Sequence, residues 1–515
     1  MKLHKTISRY QLASVRYLMF LVTCVTVFGG IMVSAVQAEL KAGAAKMDIT
    51  NRDAAEPPDH LWARALVLSD GETTAVIVTL DVVAIAEIGP IKNDFLPTVR
   101  AALKKDLQLD PTRLLVNASH CHGEVCTDVA DRTIAVVKQA YEKLEPVRVG
   151  WGSGSENRVM ENRRLLLKNG KQVDVRHAYS LPADEEVAEI GPVDPEIGVL
   201  RLDRLNGETL AVLYNFACHP ILGTPRTAGN TADMTGYASA VIEDNLSPGT
   251  IALFVQGCAG DINPILYKDV NVPRHAEHLG NRLGLSTLKA IRQIECTTNN
   301  DFKMLHTTLQ LPRADHTSRI ASLQAEQDRL VQALTGTSLN LKTFVPLLVK
   351  YKLSEKYPSY YSYGYLHDQL IGRDDWERLD AENRKNLEAY IRNIHTMEEL
   401  TRVKTNVNLL KRHQAKSEAL NATTVDAEIL GLRVGEFTLV TFPGELTVQI
   451  GLDIKQNAPR DSTFVAGYTN GYLYYAPTDD QLNNPGCAQE DCDSLVGPGW
   501  LQLFTAQVDV FLKEL

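Results

Sequence analysis

The sequence predicts an α/β protein: a layered mixed sheet with flanking helices, interrupted by a helical insertion. Three observations carry that expectation. From residue 39 to about 305, short apolar runs of strand character alternate with amphipathic, helix-periodic segments. From about 315 to 415 the sequence becomes charged and helix-periodic throughout. Strand-like runs then return at 427–434, 437–442 and 463–467.

Taken in order, the chain opens with a segment that reads as targeting rather than fold. Lys2, Lys5, Arg9 and Arg16 precede an apolar run at 17–33, and Val36 and Ala38 fit a signal-peptidase site. Residues 1–38 are therefore expected to be a signal peptide cleaved after Ala38, which exports residues 39–515 to a periplasmic or extracellular space. The alternative for the same segment is an uncleaved membrane anchor. The apolar runs at 63–68, 74–80, 113–116, 198–202, 210–216 and 250–255 read as strands, and 93–105, 132–144 and 275–293 as helices. In the insertion, Ile320, Leu323, Leu330 and Leu334 fall near helical spacing, as do Trp376, Leu379, Leu387 and Ile391. A tyrosine-rich stretch at 357–365 reads as a loop between them, suited to a lid over a pocket or to internal packing.

Composition excludes some functions. With 44% hydrophobic and 23% charged residues, the chain of 515 is ordinary for a globular protein. A formal net charge of −10 with no basic stripe argues against a nucleic-acid partner. Seven cysteines follow residue 38, an odd number. Cys487 and Cys492, close together in a loop rich in Gly, Asn and Asp, are the candidates for a local disulfide. Cys121, Cys218 and Cys258 sit in apolar motifs and read as small core residues.

Chemistry-bearing residues gather where strands end. Asn117-Ala118-Ser119-His120-Cys121-His122-Gly123 follows an apolar strand, and strand spacing puts His120 and His122 on one face. Such a pair serves a metal site or is hydrogen-bonded structure. Cys218-His219-Pro220 ends another strand, because proline cannot continue a central ladder. Gly257-Cys258-Ala259-Gly260-Asp261-Ile262-Asn263-Pro264 follows a third, where Asp261 or Asn263 could hold metal or water. Pro443-Gly444-Glu445 places a carboxylate where a helix would open, so Glu445 alone reads as a cap. The tyrosines of 468–475 read as core or pocket wall.

In this order, His-x-His, His-Pro, Gly-Asp-x-x-Pro, Pro-Gly-Glu and Asn-x-Tyr-x-x-Tyr resemble the catalytic domain of the neutral, non-lysosomal ceramidases. The resemblance runs from about Lys41 to Thr478, apart from the insertion. It implies a single zinc ion (Zn2+) that activates water to cleave an amide, with His120, His219, Glu445 and Tyr475 as ligands. His122 would handle protons or orient the substrate, and Arg163, in Glu161-Asn162-Arg163-Arg164, would contact it. The implied partner is a small-molecule or lipid amide, with ceramide leading and a transient contact to a membrane surface. Neither a His-Glu-x-x-His nor a Gly-x-Ser-x-Gly motif is present. Three departures mark a divergent member. Asn263 stands where the family carries serine, and asparagine cannot be a nucleophile. A family tyrosine thought to hold the oxyanion aligns with Cys487, and the chain ends at Leu515 without the family's C-terminal β-domain. Hydrolysis of another amide or ester, such as a cell-wall or N-acyl-sugar compound, and a silent binding relative are the alternatives.

Overall fold

The computed structural model describes residues 39–515 except 55–56, 58, 176–180, 224–228, 268–274, 300 and 487. The expected signal segment and Cys487, with its pairing to Cys492 and its oxyanion role, lie outside the described residues.

Eight strands build the larger sheet: β1 (Lys41–Asp48), β2 (Trp62–Ser69), β3 (Thr74–Leu80), β4 (Leu114–Ala118), β5 (Glu145–Ser155), β6 (Glu196–Arg204), β7 (Thr209–Phe216) and β8 (Ile251–Gln256). Their order is β8-β7-β6-β5-β1-β2-β3-β4. The sheet turns a corner at β5. Only Glu145 and Pro146 of that strand pair with β1, whereas Val147 to Ser155 pair with β6. A second sheet runs β9-β10-β11-β12, from Phe302–Pro312, Thr424–Val434, Phe437–Thr441 and Thr463–Ala466.

Both arms of the bent sheet and the second sheet turn apolar faces to one shared core. Leu66, Leu115, Leu213, Leu253, Leu432 and Phe464 meet there, all at most 1% exposed. Alternation along each strand delivers the opposite set of side chains to the helices outside. Val99 of helix α1 (Phe95–Leu107) and Val136 of α2 (Val129–Glu142) join Ala65 and Val78 in one such layer. Ala238 of α3 (Asp233–Asp244) and Leu283 of α4 (Ala276–Ile291) join Val199 and Tyr214 in another. Burying one such leucine or valine contributes about 1.5–3 kcal/mol. The architecture is mixed α/β with helices outside and sheets within, as expected.

The helical segment sits between β9 and β10. It comprises α5 (Thr317–Ala333), α6 (Leu341–Leu353), α7 (Ser362–Leu370) and α8 (Asp375–Leu420). The tyrosine-rich stretch is not all loop, because α7 begins at Ser362. Buried Tyr365 anchors that start, its hydroxyl donating to the Asp380 carboxylate, which also receives the Tyr351 hydroxyl at 2.6 Å. Helices α9 (Val448–Asn457) and α10 (Trp500–Glu514) close the chain.

Within the two large sheets three strand pairs are parallel: β3 with β4, β7 with β8, and β11 with β12. A parallel pair needs a crossover, and α1, α3 and α9 supply them. Both carboxyl ends of each pair then lie at the same edge, where open α/β sheets place their sites. His120, His219 and Glu445 all follow such ends within four residues.

Candidate metal centre

The strand β4 ends at Ala118, and His120 takes a left-handed φ of 70°. Strand alternation therefore does not govern the His-x-His pair. His120 is buried at 3% exposure while His122 is exposed, their rings edge to face at 5.7 Å. Left-handed non-glycine backbone also occurs at Tyr468, Asn470 and Tyr474, just after β12. Such conformations persist only where surrounding structure over-determines them. Here buried amides do so. Asn117 donates to the Gly467 carbonyl at 2.8 Å, and Asn470 donates to Leu114 at 2.8 Å. Gln256 ties the two histidine segments together, its Nε2 donating to Ser119 at 3.0 Å and Cys218 at 2.8 Å.

His120, His219 and Glu445 each offer a ligand atom, and these atoms lie within 4.8 Å of one another. Each histidine has Nδ1 against a backbone carbonyl, Val83 at 2.6 Å for His120 and Ile262 at 3.0 Å for His219. A carbonyl only accepts, so Nδ1 carries the hydrogen and Nε2 of a neutral ring keeps its lone pair. Yet Nε2 of His219 lies 3.0 Å from Glu445 Oε2, and Nε2 of His120 lies 3.6 Å from Oε1. Lone pairs of two imidazoles facing a carboxylate are what a shared cation reconciles, so the donor set fits a zinc ion. Burial pushes the Glu445 carboxyl up, but the facing His120 and His219 rings and the Tyr472 hydroxyl outweigh it and hold it well below the ordinary range.

Glu445 is not the helix cap its sequence context suggests. It lies in a two-residue strand, Glu445–Leu446, paired in parallel with Tyr475–Ala476. The backbone crowds there: a Cβ on Gly260 would meet the Glu445 carbonyl at 2.7 Å. The first amide of α9, Val448, is instead capped by Asp261 at 2.8 Å. Asp261 is thus spoken for as structure, and Asn263 accepts from Arg163 Nη1 at 3.0 Å.

Among the tyrosines, Tyr468 and Tyr472 were not singled out from sequence, yet they hold Glu445. Tyr468 donates to Oε2 at 3.2 Å and Tyr472 donates to Oε1. No spacing rule could have picked them from a run with four tyrosines, because the left-handed turns decide which rings point inward. Tyr475, the residue the resemblance implies as a ligand, is 2% exposed, and its hydroxyl oxygen accepts from Arg163 Nη2 at 3.2 Å. Arg163 is 1% exposed and also donates to Glu490 at 2.7 Å and the Gly260 carbonyl at 2.5 Å. Its guanidinium is spent on protein groups around Tyr475.

The base of the helical segment braces the same neighbourhood. Asn406 of α8 donates to the Gly486 carbonyl at 2.8 Å, and the His413 ring lies edge to face on Tyr474 at 4.6 Å. Cys492 is buried with Leu323, Val407 and Leu410.

Fold and cluster together define an α/β protein with a buried His-His-Glu metal-type centre at the carboxyl edge of its parallel strand pairs. No protein-family model matches the chain. Neutral ceramidase from Pseudomonas aeruginosa is 25% identical over 231 residues, 40% of this chain and 32% of that protein. The match thus spans about a third of that relative's length. The crystal structure of the Pseudomonas aeruginosa neutral ceramidase superposes with a TM-score of 0.57 at 16% identity, over 93% of this chain and 75% of the other. A ceramidase complexed with C2 gives 0.54 at 17% identity, over 92% and 74%. The chain is thus similar in sequence to neutral ceramidase over that stretch and shares the fold of the two solved ceramidases.

Proposed function

We propose that this chain is an exported, zinc-dependent amidohydrolase whose leading substrate is an N-acyl lipid of the ceramide class. The observation that carries the reading is the convergence of two carbonyl-fixed imidazoles on one buried carboxylate. His120, His219 and Glu445, with Tyr475, would hold the ion. Bound there, zinc supplies a Lewis acid and water of lowered pKa.

The chain's own groups do the rest. Tyr468 and Tyr472 hold the Glu445 carboxylate in place. Arg163, fixed by Glu490, sets the position of the Tyr475 hydroxyl, so we assign it to positioning. His122 stands exposed beside buried His120, where it can give a proton to the departing amine nitrogen. Asn263, buried and bonded to Arg163, offers no nucleophile. The test is turnover of N-acyl lipids and of water-soluble amides by the purified protein, with and without a chelator, alongside elemental analysis. Chelator-sensitive release of fatty acid from N-acyl lipids is expected. Hydrolysis indifferent to chelation, or no bound metal, would overturn the reading.

A further inference from the structure

The tip of the helical arm is apolar on two faces and packs only one of them. On α6, Phe344, Leu347, Leu348 and Tyr351 pack against Leu387, Tyr390 and Ile391 of α8. Leu341, Val345, Val349 and Leu353, at successive i+4 positions, form a second stripe, and all four are exposed. Helix α7 repeats the arrangement. Tyr363, Leu366 and Leu370 share a face and are exposed, while Tyr365 on another face is buried. Ten of the twenty-two exposed large hydrophobics among the described residues fall within 341–371. A helix apolar on both faces calls for a cover on each.

The arm's length rules out the pocket as that cover. Helix α8 runs unbroken from Asp375 to Leu420. Asp380, which gathers the tip, and His413, which touches Tyr474 beside the metal-type centre, are 33 residues apart on it. At 1.5 Å per residue they stand about 50 Å apart. The tyrosine stretch therefore is no lid.

We infer that the tip is a docking surface for an anionic lipid membrane. In a chain of formal charge −10, residues 341–356 carry exposed Lys342, Lys350, Lys352 and Lys356 against a single exposed acid, Glu355. Exposed leucines flanked by lysines are the make-up of helices that lie in the headgroup layer. Tyr360, Tyr361 and Tyr363, exposed with ring centroids 5.5–5.9 Å apart, supply the aromatic residues that favour that depth. Helix α6 presents Lys342, Lys350 and Lys352 beside its exposed apolar stripe, where they complement anionic headgroups and would repel the same helix of a second copy.

The inference does not rest on the reading of the site, and its test is independent of hydrolysis. The full chain is sedimented with vesicles of phosphatidylcholine alone and with phosphatidylglycerol added. Binding to the anionic vesicles, weakening with salt, is expected. Leu353→Ser with Leu370→Ser should lower the partition by more than about tenfold, with melting temperature and turnover of a water-soluble amide unchanged. Lys350→Gln with Lys352→Gln should remove most of the salt dependence. Binding equal to wild type in the leucine variant would overturn the inference. So would a dimer in solution that those leucine substitutions dissolve, since the occupant would then be a second copy.

Discussion

Tyr472→Phe isolates the support of the metal-type centre from its ligands. The substitution removes one hydroxyl and leaves the ring among its neighbours, including Tyr474 at 5.0 Å. What is lost is a hydrogen bond to a buried carboxylate, worth about 1.5–3 kcal/mol. Glu445 keeps His219 and Tyr468, so the carboxylate stays in place with more freedom. An outer partner of a metal ligand commonly contributes 10–100-fold in metal affinity, about the same energy. Unfolding entropy of about 2.1 cal/mol/K per residue makes the melting temperature a blunt readout here, moving by only about 1–3 °C. The informative assay is zinc affinity by competition with a chromogenic chelator. A 10–100-fold weakening with the fold retained is expected. An affinity within twofold of wild type would refute the claim that Tyr472 holds a ligand.

His219→Ala should abolish stoichiometric zinc in elemental analysis while Tyr475→Phe weakens it less, and full occupancy in the first would discard the centre. His122→Ala should keep zinc and slow turnover by about 10²–10⁴-fold. Glu490→Gln strands the Arg163 charge in the interior and should cost about 3–5 kcal/mol in urea unfolding, whereas an unchanged midpoint would mean the pair is not formed. Burial pushes the Asp59 carboxyl from 3.8 to about 6, against bonds from Thr231 and Ala232. The folded state therefore binds the proton more tightly than the unfolded state, and stability falls as pH rises from about 4 to about 6. Asp59→Asn, which keeps an acceptor for Ala232, should flatten that fall by up to about 3 kcal/mol in pH-dependent urea midpoints.

The strand-end motifs were legible because apolar runs stop abruptly at polar residues, which fixes His120, His219 and Glu445 at sheet edges whatever the topology. What was hidden depended on contacts distant in sequence. Glu445 reads as a helix cap because Asp261, the actual cap, lies 187 positions before Val448, whose amide donates to it. The choice of Tyr468 and Tyr472 over their neighbours follows from left-handed backbone that tyrosine rarely adopts. The central strand β5 was missed because its Gly-Trp-Gly-Ser-Gly run lacks the β-branched residues that mark strands. The corner it makes was likewise out of reach of local pattern. Helices α5 and α8 announced themselves by period, yet nothing in the period says that α8 carries the tyrosines away from the site.

The long arm also bears on how the chain reaches this state. Pro312 and Thr424 face each other across the β9–β10 ladder, the position a tight turn would occupy in an ordinary hairpin. About 110 residues intervene instead, and closing so long a loop as random chain costs several times the logarithmic penalty of a short turn. The packing of α5 on α8 removes that penalty, because a folded arm presents the two strand ends already side by side. The second sheet, and with it β11 and Glu445, is thus expected to register only after the arm has formed. A variant weakened at Leu330 or Val403 should refold slowly even though its finished site contains every original residue.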